Sequence, residues 1–247
     1  LPGENNSRFP YCACLYIKGR DRRVLIDAGM GPKKMPPVKK LGIDLLILTH
    51  CHIDHVGRIP WLIAAGFRGP IVCSRPSAEL LPMVLKDALR VGVTRNTRLI
   101  REFLKRIKGM LRPLAYGEWA NIDLDDSDAS LQVRFQPAGH ILGSAFVECR
   151  VSEGDESFKT IFSGDLGAPH PPLLPDPAQP ESADLLVLES TYGDRNHRAI
   201  EETITELGGV FESGRAAQGN ILIPAFTVGR TQDLLYLMAE HFEEWNL

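Results

Sequence analysis

The run Asp44-Leu45-Leu46-Ile47-Leu48-Thr49 is followed at once by His50, His52, Asp54 and His55 within six residues. A short, nearly continuous apolar run is how a strand buried on both faces looks, so other elements must cover it on two sides. Side chains in an extended segment alternate in direction, so His50 and His52 can hold one ion together. Asp54 and His55 stand where the chain turns into a helix and can face a second ion. Imidazole and carboxylate are the donors expected for zinc or a related divalent ion. Cys51, inside the cluster, points to the other face and reads as packing. Chance clustering or helix capping explains the pattern poorly: the chain has seven histidines, and three of them fall in these six residues.

Two later positions complete the set. Pro137-Ala138-Gly139-His140 follows a strand, so His140 can be the third ligand of the first ion. In Ser163-Gly164-Asp165-Leu166-Gly167, also after a strand, Asp165 can approach both ions and bridge them. Alone, either residue would read as structural; beside the first cluster they read as ligands. Two ions about 3.5–4 Å apart bind and acidify a water, giving a metal-bound hydroxide at neutral pH, and stabilise charge on the attacked centre. That chemistry serves phosphodiesters, esters and amides alike.

The rest of the chain predicts a mixed α/β fold. Leu15-Tyr16-Ile17 and Val24-Leu25-Ile26 flank the Gly19-Arg20-Asp21 turn as a hairpin. A helix is expected from near Asp54 through Ala65, ended by Gly66. Residues 77 to about 111 read as helical, broken near Gly92. Strand signals return at 131–135, 145–149, 160–162 and 185–188, and Pro169 to Pro180 is a loop. Then come a helix near 198–217, a strand at Asn220-Ile221-Leu222-Ile223 and a helix from about Val228 to Glu243. This crossover unit marks a further domain.

Charge is unevenly placed. Residues 86–112 hold nine Lys or Arg against Asp87 and Glu102, so this stretch is +7 while the rest of the chain is −10. An acidic chain with one basic segment suits local binding of an anionic polymer. Arg98, Arg101, Lys105, Lys108 and Arg112 step by three and four on one helix face, and are candidate phosphate contacts against the alternative of a solvated face. Thr227 and Arg230, at the start of the last helix, are a second candidate, because backbone N–H groups there can bind an anion. Five cysteines without a CxxC pair argue for a reducing compartment, here the cytoplasm. Cys12 and Cys14 read as small residues on one strand face. No apolar run is long enough to span a membrane, and the first residues lack the basic start and apolar run of a signal peptide. With no initiator Met, the chain reads as a fragment or a processed form.

Together these motifs resemble the metallo-β-lactamase superfamily. The phrase Leu188-Glu189-Ser190-Thr191-Tyr192-Gly193 is similar to its β-CASP nuclease branch, which includes ribonuclease J and the endonuclease acting before polyadenylation. Residues 138–144, 162–167 and 223–232 agree, so the resemblance covers nearly the whole chain. It implies an αββα sandwich over residues 1–193 and the first part of an α/β β-CASP domain over 194–247. It implies two Zn2+, one at His50, His52 and His140, the other at Asp54, His55 and the bridging Asp165. Asp27 in Leu25-Ile26-Asp27-Ala28-Gly29 would support the ligands from behind. Glu189 matches an acidic motif that assists protonation of the leaving group, with Asp54 and Glu189 as the catalytic pair.

In that family a further ligand histidine and the partner histidine of the acid follow the phrase at 223–232. This chain stops at Leu247, and His170, His197 and His241 do not match them. The expectation is therefore a chain truncated within the β-CASP domain, its second ion held more weakly and its general acid missing. The expected function is hydrolysis of RNA phosphodiester bonds, exo or endo. Single-stranded RNA is the partner, DNA a further candidate, a homodimer an option, and no membrane is involved. The rivals are a small-molecule metallo-hydrolase of thioesterase or lactonase type and a catalytically impaired RNA-processing scaffold.

Overall fold

The computed structural model describes residues 14–19, 22–29, 41–122 and 129–247. Cys12 and the turn residues Arg20 and Asp21 lie outside them.

Two five-stranded sheets face each other. The first holds β1 (Leu15–Lys18), β2 (Arg23–Ile26), β3 (Leu45–Ile47), β4 (Ile71–Ser74) and β5 (Leu111–Leu114), in that order. β1 is antiparallel to β2 and the rest are parallel. The second holds β6 (Ala120–Ile122), β7 (Ala129–Pro137), β8 (Ala145–Glu153), β9 (Glu156–Phe162) and β10 (Leu185–Val187). It is antiparallel except that β10 runs parallel to β9.

Strand periodicity sorts the core into two layers. Ile26, Leu45, Ile47 and Val72 meet Val133, Phe135, Val147 and Phe162 between the sheets. Leu25, Leu46, Leu48 and Cys73 point the other way and meet Leu62, Leu81, Leu85 and Ile107 from the helices. The apolar run before His50 is thus continuous because both faces of β3 are covered, as expected.

The covering helices are α1 (Ile53–Val56), α2 (Ile59–Ala64), α3 (Arg75–Gly92) and α4 (Thr97–Met110). The single helix expected from Asp54 to Ala65 is thus two. Pro60 has no N–H to give, and the Arg58 amide donates to the Ala28 carbonyl at 2.8 Å instead of continuing the helix. β4, β5 and β6 were not anticipated. β5 follows directly on α4, which ends at Met110 close to the expected 111, and it tolerates Pro113 because it is an edge strand.

α5 (Ile200–Ala216) and α6 (Arg230–Glu240) follow. The strand expected at 220–223 is absent: the segment joins neither sheet, and Leu222 is 94% exposed. Its apolar side chains suit a strand, but among the described residues no neighbour supplies a hydrogen-bonding ladder. α6 begins later than Val228 because Gly229, at φ 95°, cannot be helical.

Topology gathers the site. β2 and β3 are parallel, and β7, β9 and β10 run in one direction in the second sheet. The segments after them carry Asp27, His50, His140, Asp165 and Glu189. The Ala145 amide, hydrogen-bonded to the Thr49 carbonyl at 2.9 Å, ties the sheets together at that edge.

Candidate metal centre

Two groups of donors form there. Ligand atoms of His50, His52, His140 and Asp165 lie within 4.8 Å of one another, as do those of Asp54, His55 and Asp165. His52 Nδ1 is 3.2 Å from His50 Nε2 and 3.0 Å from His140 Nε2. Asp165 Oδ2 is 3.8 Å from His50 Nε2 and 3.6 Å from His140 Nε2. Its other oxygen, Oδ1, is 3.2 Å from His55 Nε2, and Asp54 Oδ2 is 3.8 Å from that same nitrogen. Asp165 thus belongs to both groups.

Three of the rings, those of His50, His52 and His55, are fixed from the far side. Asp27 is buried; its Oδ1 accepts the Thr49 amide at 2.8 Å, and its Oδ2 the Thr49 hydroxyl at 2.7 Å and His55 Nδ1 at 2.8 Å. The Thr49 hydroxyl proton is thereby committed, so its oxygen accepts from His50 Nδ1 at 3.1 Å. His52 Nε2 faces the Val228 carbonyl at 3.3 Å, and a carbonyl can only accept. These partners put the protons of His50 and His52 on the outer nitrogens. Their inner nitrogens, 3.2 Å apart, are two bare lone pairs facing each other. A cation between them removes that repulsion. Two nitrogens bound tetrahedrally at about 2.0–2.1 Å from zinc would stand roughly 3.3 Å apart, so the donor set fits the ion.

Electrostatics agree. Burial, then the neighbouring imidazoles, hold the His50 pKa well below the usual histidine value. Burial and His52 push His140 down to about 4 against the pull of Asp165, with Arg230 adding to the depression. Both rings are neutral at pH 7 and able to donate a lone pair. At His55 burial works against charge, but Asp27 and Asp165 outweigh it and lift the pKa to about 10. Burial would raise the Asp165 pKa, yet His55 and the other imidazoles lower it. The second group therefore favours positive charge, as a cation site should.

Local backbone explains the reach of these side chains. Gly164 has φ 55°, and a Cβ there would come 2.6 Å from Thr49 Cβ, so only glycine lets Asp165 close on the first sheet. The Ser144 hydroxyl accepts from the amides of His140 and Ile141 at 3.0 and 3.1 Å and tightens the turn that aims His140. Asp27 itself is left-handed, at φ 57°. Thr49, Ser144 and Ser163 were not singled out from sequence. Serine or threonine next to a ligand position was the available signal.

Glu189 joins Asp27, Thr49, His55 and Asp165 around a cavity of about 160 Å³. Its carboxylate accepts from the Leu166 amide at 2.6 Å, holding the loop that presents Asp165. Arg230 lies close enough to influence His140. The Thr227 carbonyl accepts from Gln232 at 2.9 Å, which shapes the start of α6. Arg101, Lys105 and Lys108 lie on α4, apart from these groups. Cys51 is buried, its thiol donating to the Ser77 carbonyl at 3.3 Å and pushed up to about 12 by burial: packing, as expected. His170 pairs with Asp176, His197 lies against Tyr192, and His241 stacks on Trp245.

The chain is similar to several known proteins. Ribonuclease TTHA0252 of Thermus thermophilus is 40% identical over 227 residues, covering 89% of this chain and 50% of the relative. The transcription termination factor FttA of Methanocaldococcus jannaschii is 31% identical over 247 residues, 94% of this chain and 38% of the factor. An RNase J-like protein of the same organism is 29% identical over 244 residues, 95% of this chain and 53% of that protein. The chain thus spans about half the length of the ribonuclease and less of the factor. The profile described as "Metallo-beta-lactamase superfamily" matches residues 8–211, most of the chain. The chain belongs to the metallo-beta-lactamase superfamily.

Proposed function

We propose that this chain carries the hydrolytic centre of an RNA-processing nuclease of the β-CASP branch, with residues 1–193 as the lactamase domain and 194–247 as the start of the β-CASP domain. The observation that carries the reading is the pair of donor groups sharing Asp165. The names of the relatives, two ribonuclease-like proteins and a transcription termination factor, support RNA as the substrate.

Zinc is the ion of choice for the three-imidazole group. Two divalent ions held at these groups would supply Lewis-acid charge to a phosphate and lower the pKa of water. The remaining work belongs to the chain. Asp54, His55 and Asp165 would hold the second ion, and Asp165 belongs to both donor groups. The second group has three protein donors among the described residues, and the Asp54 side chain is 42% exposed, so it would hold an ion less tightly. Arg230, whose charge acts on His140, would hold a phosphate of the strand through its guanidinium. Glu189, on the same cavity as His55 and Asp165, would assist protonation of the departing oxygen. The buried thiols of Cys51, Cys73 and Cys149 suit the reducing cytoplasm. No described helix is long and apolar enough to cross a membrane.

The test is cleavage of labelled single-stranded RNA by the zinc-loaded chain, beside Asp54→Ala, a chelator-treated sample, and single-stranded DNA and a thioester as competing substrates. RNA cleavage lost in both controls is expected. Equal product in all three samples would defeat the nuclease reading, and hydrolysis of the thioester alone would replace it with the small-molecule one.

A further inference from the structure

The basic helix face does not stay together in three dimensions. Arg98 pairs with Glu102 at 3.1 Å, and Arg112 turns onto the carbonyls of Gly109 and Leu111. Arg101, Lys105 and Lys108 instead face α3, whose Lys86 and Arg90 look back at them. α3 and α4 are joined by four residues and pack side by side. Between them runs an open groove of about 760 Å³ with these five cations on its walls and no carboxylate lining it.

We propose that this groove is a second binding site for single-stranded RNA, distinct from the metal centre, on the reading that RNA is the substrate. Its chemistry is that of a polyanion track. Lys86 and Arg90 on one wall, and Arg101 and Lys105 on the other, are four residues apart. That places successive cations about 5–6 Å apart at their roots, on the scale of successive phosphates in an extended strand. Met83, half exposed, and Leu104 offer an apolar floor on which a base or sugar can lie.

The position relative to the metal centre also fits. α3 starts against the turn that presents His140: the hydroxyls of Ser74 and Ser77 both donate to the Gly143 carbonyl, at 2.6 and 2.9 Å. At 1.5 Å per residue, Lys86 and Arg90 stand roughly 13 and 20 Å farther along the helix axis than Ser77. A strand leaving the histidine group along α3 reaches the groove after a few nucleotides. The groove thus serves long substrates and has no reach to very short ones. Acidic protein segments would use the same cations, but they lack the close, regular charge repeat.

The test uses the zinc-loaded chain and a triple variant, Lys86→Gln, Arg90→Gln and Lys105→Gln, all exposed helix positions. Zinc content and unfolding midpoint serve as checks that the variant is folded. Anisotropy measures binding of a phosphorothioate single-stranded RNA of about 20 nucleotides and of polyglutamate, across a salt series. Each lost phosphate contact lowers the logarithmic salt slope by about 0.7, so three lower it by about 2, and the wild-type advantage shrinks roughly twentyfold between 50 and 200 mM salt. An unchanged slope and affinity, with RNA still cleaved, would overturn the groove alone. Loss of polyglutamate binding with RNA binding intact would also overturn it, in favour of an acidic protein partner. No binding and no cleavage of RNA by either form would sink the substrate reading instead.

Discussion

Replacing Asp27 by Asn probes the centre without changing its shape. Asn tolerates the left-handed backbone that Asp27 adopts at φ 57°, so the main chain can stay where it is. One amide oxygen can still accept the Thr49 N–H, but the NH2 must then face the Thr49 hydroxyl and His55 Nδ1, where the carboxylate accepted at 2.7 and 2.8 Å. At His55, a donor now meets a donor. The ring can meet that donor only by giving up its Nδ1 proton, which leaves its remaining proton on Nε2, the nitrogen 3.2 Å from Asp165 that the second ion needs. Buried hydrogen bonds to a charged group contribute about 1.5–3 kcal/mol each. With two of three disturbed and the threonine hydroxyl free to turn and donate elsewhere, a loss of about 3 kcal/mol in metal-free stability is expected. Mutating a partner that orients a ligand typically costs about 10–100-fold in metal affinity. Urea unfolding of the metal-free chain and calorimetric zinc titration measure the two effects. The weaker binding step should suffer more, because His55 contacts Asp27 directly while His50 is reached only through Thr49. Wild-type unfolding midpoint together with two unchanged zinc affinities would refute the relay from Asp27 to the rings.

Three further outcomes follow from single contacts. Gly164→Ala should destabilise the chain by about 1–3 kcal/mol and weaken zinc binding, because the new methyl meets Thr49 Cβ at 2.6 Å; melting and zinc titration test it. Ser144→Ala leaves the buried-turn amides of His140 and Ile141 without their acceptor, so a loss of about 1–3 kcal/mol with a weakened histidine site is expected, read by the same assays. Glu148 is buried between Arg134 and Lys159; burial alone would raise its pKa, but the two cations lower it below the 4.5 of a free glutamate. Its contribution is full above about pH 4.5 and fades as pH falls through the folded value, so Glu148→Gln should cost about 3 kcal/mol at pH 7 and progressively less in acid, by urea unfolding across pH.

The sequence made the centre more legible than the fold around it. Metal donors announce themselves by residue type, and His50, His52, Asp54 and His55 needed only the strand before them to be placed. Asp165 and His140 were readable because each follows a strand and a glycine. Their supports were not: Thr49 and Ser144 act through one hydroxyl each, and such residues are too common to stand out. Strands were read well where burial alternates or both faces are covered, as in β3 and β7. β4 was missed because Ile71-Val72-Cys73-Ser74 is as short as many loops. The 220–223 run shows the converse, since a strand needs a neighbour's hydrogen bonds as well as its own propensity. The basic stretch was visible as charge, but which cations share a groove depended on how α3 and α4 pack.

The segment before α6 shows why the centre and the last part of the chain belong to one device. The only carbonyl in hydrogen-bond contact with His52 Nε2 among the described residues is that of Val228, 176 positions later. That contact fixes which nitrogen of His52 is bare. Phe226 lies against the same ring, with centroids 5.9 Å apart, and a Cβ at Gly229 would strike Ile141, the neighbour of His140. Arg230, which opens α6, depresses the His140 pKa. Residues 226–230 therefore act on two of the three imidazoles: the Val228 carbonyl and the Phe226 ring on His52, and the Arg230 charge on His140.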